Sequence, residues 1–254
     1  MIRRVAILGN SCAIEVAGLR SRRDERTWGE WLEEELIDAG HPAVVHNRAR
    51  WFELIDEGRA RYLEDIRPLF PDVLILQYGC NECQPNALPT WLARHSAAMH
   101  QSTRRIPMLY RRRLLEPYGW PAIRRWQMFA ASRWPEGWTR LGLGRWQEEL
   151  RRIFRIARAD NILVLVLDVS EFGPRYEHWI PSVSRRRERF QAALERTIDE
   201  WGDPAVIRID PTVVLGGLTQ DEAIPDGLHW SPEAHRRIAQ LLAKEIQVWD
   251  AAAT

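Results

Sequence analysis

The stretch VAILGNSCAIE, residues 5–15, decides the fold. Four apolar residues, Val5 to Leu8, run straight into Gly9, Asn10, Ser11 and Cys12, the pattern of a buried strand ending on a residue that must stay polar. Glycine permits a tight turn. A serine at the mouth of the following helix then sits among exposed N–H groups able to stabilise an oxyanion. A plain N-cap serine has the same local pattern, so the stretch by itself nominates a nucleophile without securing it.

Working outward, strand-like runs alternate with longer helical patterns. Strands are expected at 4–9, 43–46, 72–79, 161–169 and 205–210. Helices are expected at 27–40, with Thr27 as N-cap, Glu30 completing a capping box and Gly40 as stop, and at 52–66. A closing helix is expected at 231–249, with Ser231 as N-cap and Pro232 in its first turn. This rhythm implies an α/β protein: a three-layer α/β/α sandwich around a five-stranded parallel sheet, residues 1–254 forming one domain. In such sheets chemistry gathers in loops at the carboxyl ends of the strands.

One stretch breaks the rhythm. Residues 104–145 carry ten Arg against two Glu, a balance of 10 − 2 = +8, together with Trp120, Trp126, Trp134 and Trp138. Its aromatic content argues against disorder, and its length suits a helical cap over the active-site edge. Arginine pairs bidentately with carboxylate or phosphate and tryptophan stacks on flat faces, so the cap favours a ligand with an anionic group and an apolar or sugar-like face. A decorative insertion with a solvated Arg face is the alternative.

With 45% hydrophobic and 28% charged residues the chain is ordinary in composition, and its net charge of +1 gives no reason to expect nucleic acid. Arg3 and Arg4 before an apolar run resemble the start of a secretory signal, but the run is too short and Glu15 interrupts it. No stretch reaches the roughly 20 apolar residues of a membrane span. Three cysteines are a poor basis for a disulfide framework. A cytoplasmic protein is expected.

Three loops carry candidate chemistry. The first holds Ser11. The second, YGCNE (78–82), follows the third strand, where the Asn81 amide can face a developing negative charge. The third, PDGLHWSPEAH (225–235), sets Asp226 and His229 three residues apart just before the last helix. A histidine near a serine can act as general base, and a carboxylate fixes its tautomer.

In combination and in this order the three loops resemble the SGNH/GDSL hydrolase family over nearly the whole chain. The resemblance implies a flavodoxin-like fold and a serine hydrolase that cleaves an ester or thioester of a small-molecule acyl substrate through an acyl-serine intermediate, with no metal and no cofactor. It assigns Ser11 as nucleophile, His229 as base, Asp226 as its orienting partner, and the Ser11 N–H and Asn81 side chain as oxyanion donors. Departures accompany it. Asn10 replaces the usual aspartate, and either side chain can hold the turn by local hydrogen bonds. Glu82 stands where aspartate is commoner. The family's glycine after the second strand has no clear counterpart in HNRARWFEL (46–54), where its place falls near Phe52, so a third oxyanion donor stays unassigned. An acyltransferase using the same intermediate and a noncatalytic binding module on the same fold remain the rival functions.

The other candidates are read as structural. His235 lies inside the closing helix, and His95 and His100 belong to a surface segment. Cys80 and Cys83 form a C-x-x-C, read with Cys12 as small polarisable lining of the two loops that meet at the site rather than as a disulfide or half a metal site. Asp168 and Asp210, at strand ends, are read as turn or cap residues.

Overall fold

The strands β1 (Arg3–Gly9), β2 (Ala43–Asn47), β3 (Val73–Gln77), β4 (Leu163–Leu167) and β5 (Val206–Ile209) form one parallel sheet in the order β2-β1-β3-β4-β5. They are seen in a computed structural model that describes residues 2–17, 26–85, 113–114, 118–133 and 139–253. Each expected strand is present: β1 and β2 run one residue further than expected, and β3, β4 and β5 stop one or two residues short at their ends, where backbone pairing stops and the chain turns away. The register runs from Arg3↔Ala43 to Ile7↔Asn47 on one side of β1 and from Val5↔Val73 to Gly9↔Gln77 on the other.

Alternate residues of these strands feed two cores, because strand side chains point to opposite faces. Val5, Ile7, Val73, Ile75, Leu163 and Leu165 pack under α1 (Trp28–Asp38) and the closing helix (Pro232–Ala253). Ala6, Leu8, Leu74, Leu76, Val164 and Val166 face the opposite layer, which includes α2 (Ile55–Ala60), α4 (Leu143–Ala159) and α6 (Val183–Trp201). The two long helices between β3 and β5 present apolar stripes at helical spacing: Trp146, Leu150, Ile153, Phe154 and Ala157 from α4, and Phe190, Ala193 and Leu194 from α6.

The capping signals hold. Glu30 accepts hydrogen bonds from the Thr27 N–H at 2.7 Å and its hydroxyl at 3.0 Å, and Gly40, at φ +80, ends α1 in a conformation that suits glycine. Ser231 accepts the Ala234 N–H at 3.3 Å. The expected helix at 52–66 is broken: α2 covers residues 55–60 only, Arg61 interrupts it, and Tyr62–Ile66 continue as a wider π turn.

The stretch assigned to a cap lies partly outside the described residues, among them Trp134 and Trp138, as do His95 and His100. Of its described part, α3 (Trp120–Arg133) is helical and lies against α5 (Pro174–Trp179), and residues 143–145 already belong to α4. Pro85 and Thr139 pair in an isolated antiparallel bridge, so the chain returns beside the loop that follows β3. No helix among the described residues is long and apolar enough to cross a membrane.

Crossovers leave β1 toward β2 on one side and reach β3 on the other. The chain therefore reverses direction across the sheet at the β1/β3 boundary, and ligands of open α/β sheets bind in the crevice such a reversal opens.

Candidate active site

Ser11 opens a single 3-10 turn, Ser11–Ala13, directly after β1. Asn10 caps that turn through Oδ1, which accepts the Cys12 N–H at 3.1 Å, so asparagine performs the local role expected of it. As first residue of the turn Ser11 has no acceptor within it for its own N–H. Its hydroxyl lies 3.0 Å from His229 Nε2, and His229 Nδ1 lies 2.7 Å from Asp226 Oδ2. The other Asp226 oxygen accepts the backbone N–H groups of Leu228 at 2.9 Å and His229 at 2.7 Å, fixing the carboxylate before it meets the ring. Ser11 and a pair of residues more than 200 positions away thus form one continuous relay. Such a relay lets a serine hydroxyl lose its proton to an imidazole as it attacks.

The loop carrying Asp226 and His229 is held at both ends. Gly173 N–H donates to Gly227 O at 2.9 Å, Ser231 N–H to Ala223 O at 2.8 Å, and Ala17 N–H to Trp230 O at 2.9 Å, the last joining this loop to the chain just past Ser11. Burial alone would push the His229 imidazole down, but its hydrogen bond to Asp226 and the neighbouring Cys12, Glu15 and Asp226 charges lift it to about 9. Burial works to raise Asp226 as well, and its bonds to the His229 ring and backbone overcome that and hold it below the ordinary carboxylate range.

Asn81 is buried in the loop after β3. Its side-chain amide donates to Glu53 O at 3.3 Å, which occupies one of the two amide hydrogens. The preceding Cys80 thiol reaches Asn10 Oδ1 at 3.5 Å and Cys12 Sγ at 3.5 Å, so this loop lies directly against the Ser11 turn. All three cysteines are buried free thiols, and Cys12 points to Cys80 and Leu228 O rather than toward His229 Nε2. Gly79 begins the loop at φ +109, and a Cβ there would stand 2.6 Å from Val169 Cγ2.

Glu82 explains its own departure from aspartate. Its longer side chain bridges the Gly79 N–H at 2.7 Å and the Ile55 N–H at 2.8 Å, fastening the Asn81 loop to the start of α2. Behind it Arg61 pairs with both Glu53 carboxylate oxygens, at 2.6 and 2.8 Å, and the Tyr78 hydroxyl donates to Glu53 Oε2 at 2.7 Å. This network orients the Glu53 backbone that receives Asn81.

In the loop after β2, Arg50 N–H donates to Gly9 O at 3.0 Å, bringing 46–54 to the end of β1. Phe52 takes φ +58, the left-handed region that favours glycine, at the place where the sequence comparison left the missing glycine.

Two neighbours of the site escaped the sequence reading. Glu15 Oε2 lies 3.4 Å from His229 Nε2, and the Trp51 ring meets the His229 ring edge-on with centroids 6.2 Å apart. The signal for Glu15 was a carboxylate inside an otherwise apolar segment four residues after the serine. For Trp51 it was only an aromatic pair in a loop.

The remaining candidates have structural places. His235 is fully buried, accepts the Trp28 N–H on Nδ1 at 3.0 Å and therefore donates from Nε2 to Glu15 O at 3.2 Å. Asp210 accepts the Thr212 N–H at 2.9 Å, a turn role as expected. Asp168 is instead paired with both Nε and Nη2 of Arg208, at 2.8 and 3.0 Å.

No family model matches the chain, and no curated protein matches it. Solved structures do. A lipase/acylhydrolase from Enterococcus faecalis superposes with a TM-score of 0.63 at 13% identity, over 96% of this chain and 95% of that one. A GDSL-like lipase from Bacteroides thetaiotaomicron gives 0.57 at 13% identity, over 96% and 88%. A catalytic mutant of an acetylxylan esterase from Geobacillus stearothermophilus gives 0.60 at 13%, over 96% and 94%. The chain has the SGNH/GDSL hydrolase fold across nearly its full length.

Proposed function

We propose that this protein is a serine esterase of the SGNH/GDSL type. The observation that carries the reading is the Ser11–His229–Asp226 relay at 3.0 and 2.7 Å, set at the switch point of the sheet. His229 Nε2 takes the Ser11 proton as Oγ attacks the ester carbonyl. Asp226 holds the ring tautomer and offsets the imidazolium charge. The Ser11 N–H and the second Asn81 amide hydrogen receive the oxyanion, and the alcohol leaves with the proton from Nε2. Water, activated by the same nitrogen, then cleaves the acyl-serine. The likeness of fold to acylhydrolases and an acetylxylan esterase supports small acyl esters of polar alcohols as the substrate class. Three free buried thiols fit a reducing, cytoplasmic setting.

The test is a panel of short and long p-nitrophenyl esters and acetylated sugars, assayed with the wild-type protein, Ser11→Ala and His229→Ala. Ester cleavage by wild type, and its fall by on the order of a thousandfold or more in both variants, is expected. Equal turnover in Ser11→Ala overturns the assignment. Binding of acylated ligands without turnover in wild type points instead to the noncatalytic reading.

A further inference from the structure

A second carboxylate reaches the imidazole on the side opposite Asp226. Glu15 lies four residues after Ser11, and its N–H donates to Ser11 O at 2.8 Å, which folds the chain just past the 3-10 turn back beside the serine. Glu15 Oε2 then stands 3.4 Å from the nitrogen that Ser11 Oγ contacts at 3.0 Å. The Glu15 and His229 side chains are only 11% and 9% exposed, so water screens the pair little. The position of Glu15 is built in from behind, since the buried His235 ring donates to its backbone carbonyl while accepting the Trp28 N–H.

Resting on the esterase reading, we propose that Glu15 is a positioning residue that holds the His229 ring as imidazolium in the free enzyme, so that ester cleavage by this chain is confined to alkaline pH. A protonated ring cannot accept the Ser11 proton. Before each attack Nε2 must release its proton to water, and only then does it take the one that Oγ gives up in forming the bond to the carbonyl carbon. Among the described residues, these groups surround the ring. Asp226 comes from its own loop, and Glu15 and Cys12 from the segment after β1. The Cys80 thiol stands behind Cys12, the Trp51 ring edge comes from the loop after β2, and His235, from the closing helix, is held neutral by burial. The hydrogen bond to Asp226, then Cys12, then the Glu15 carboxylate on the opposite nitrogen together outweigh the burial of the charge and lift the ring to about 9.

The experiment is the pH profile of kcat/KM for p-nitrophenyl acetate, pH 6 to 10.5, in wild type and Glu15→Gln, with fluorophosphonate labelling of Ser11 run in parallel. The strut to His235 uses the Glu15 backbone, so the isosteric variant keeps it. Wild type should rise with a midpoint near 9, and Glu15→Gln should move that midpoint down by about one pH unit or more. The variant then becomes about tenfold faster than wild type at pH 7, the ratio shrinking as pH climbs. Unshifted midpoints with Ser11 labelled in both proteins overturn the role of Glu15 and leave the esterase standing. No label on Ser11 at any pH overturns both. Should Glu15→Gln fail to fold, the 15N spectrum of the His229 ring in wild type at pH 7.5 decides: two protonated nitrogens support the proposal, and one bare nitrogen overturns it.

Discussion

Replacing His235 with Gln tests the strut behind the site through the pH dependence of stability. The ring is fully buried, and burial pushes it down from 6.5 to about 4, the bond to Glu15 O offsetting this only in part. Folding therefore requires the neutral ring. The stabilisation this gives is fully present above pH 6.5, where the unfolded chain also carries neutral histidine, and is lost as pH falls toward 4, because the unfolded state then binds a proton that the native state refuses. The interval between 6.5 and about 4 corresponds to about 3 kcal/mol. Urea denaturation of wild type and His235→Gln across pH 7.5 to 4 reads this directly, since acid effects from the carboxylates are common to both and cancel in the difference. Wild type should be the more stable at pH 7.5, and its advantage should shrink by about 3 kcal/mol by pH 4. An advantage that stays constant over this range would refute a buried neutral His235.

Three further outcomes follow from the geometry. Gly58→Ala would place a Cβ 2.0 Å from the Tyr78 hydroxyl, displacing Tyr78 from Glu53, and should cost about 2–4 kcal/mol by thermal or urea unfolding. Asp226→Asn should lower kcat for ester cleavage less than His229→Ala does, since it disturbs tautomer and charge but leaves the base in place. Cys12→Ala should retain most esterase activity, because its sulfur is turned to Cys80 and Leu228 O.

Much of this was legible in the chain. The unbroken apolar runs of β3 and β4 suit strands covered on both faces, and the turn after β1 was marked by Gly9 and the capping Asn10. Asp226 and His229 were legible because the contact between them is local, three residues apart, and the meeting with Ser11 follows from sheet order. What stayed hidden depends on partners distant in sequence. Nothing local tells that Asp168 pairs with Arg208 40 residues on, or that Glu15 would face His229 across more than 200 residues. The break of the 52–66 helix at Arg61 is likewise tertiary, its guanidinium being drawn in to Glu53 and the Arg48 carbonyl. Phe52 hid a left-handed backbone because nothing in a phenylalanine signals positive φ.

The most direct test of the account is to trap the protein with a fluorophosphonate at pH 9 and locate the adduct by peptide mass spectrometry. The relay predicts one phosphonyl group on Ser11, formed in wild type and Cys12→Ala and absent from Ser11→Ala and His229→Ala. An adduct on Cys12 or any other residue, or labelling of Ser11 that proceeds as fast without His229, would contradict it.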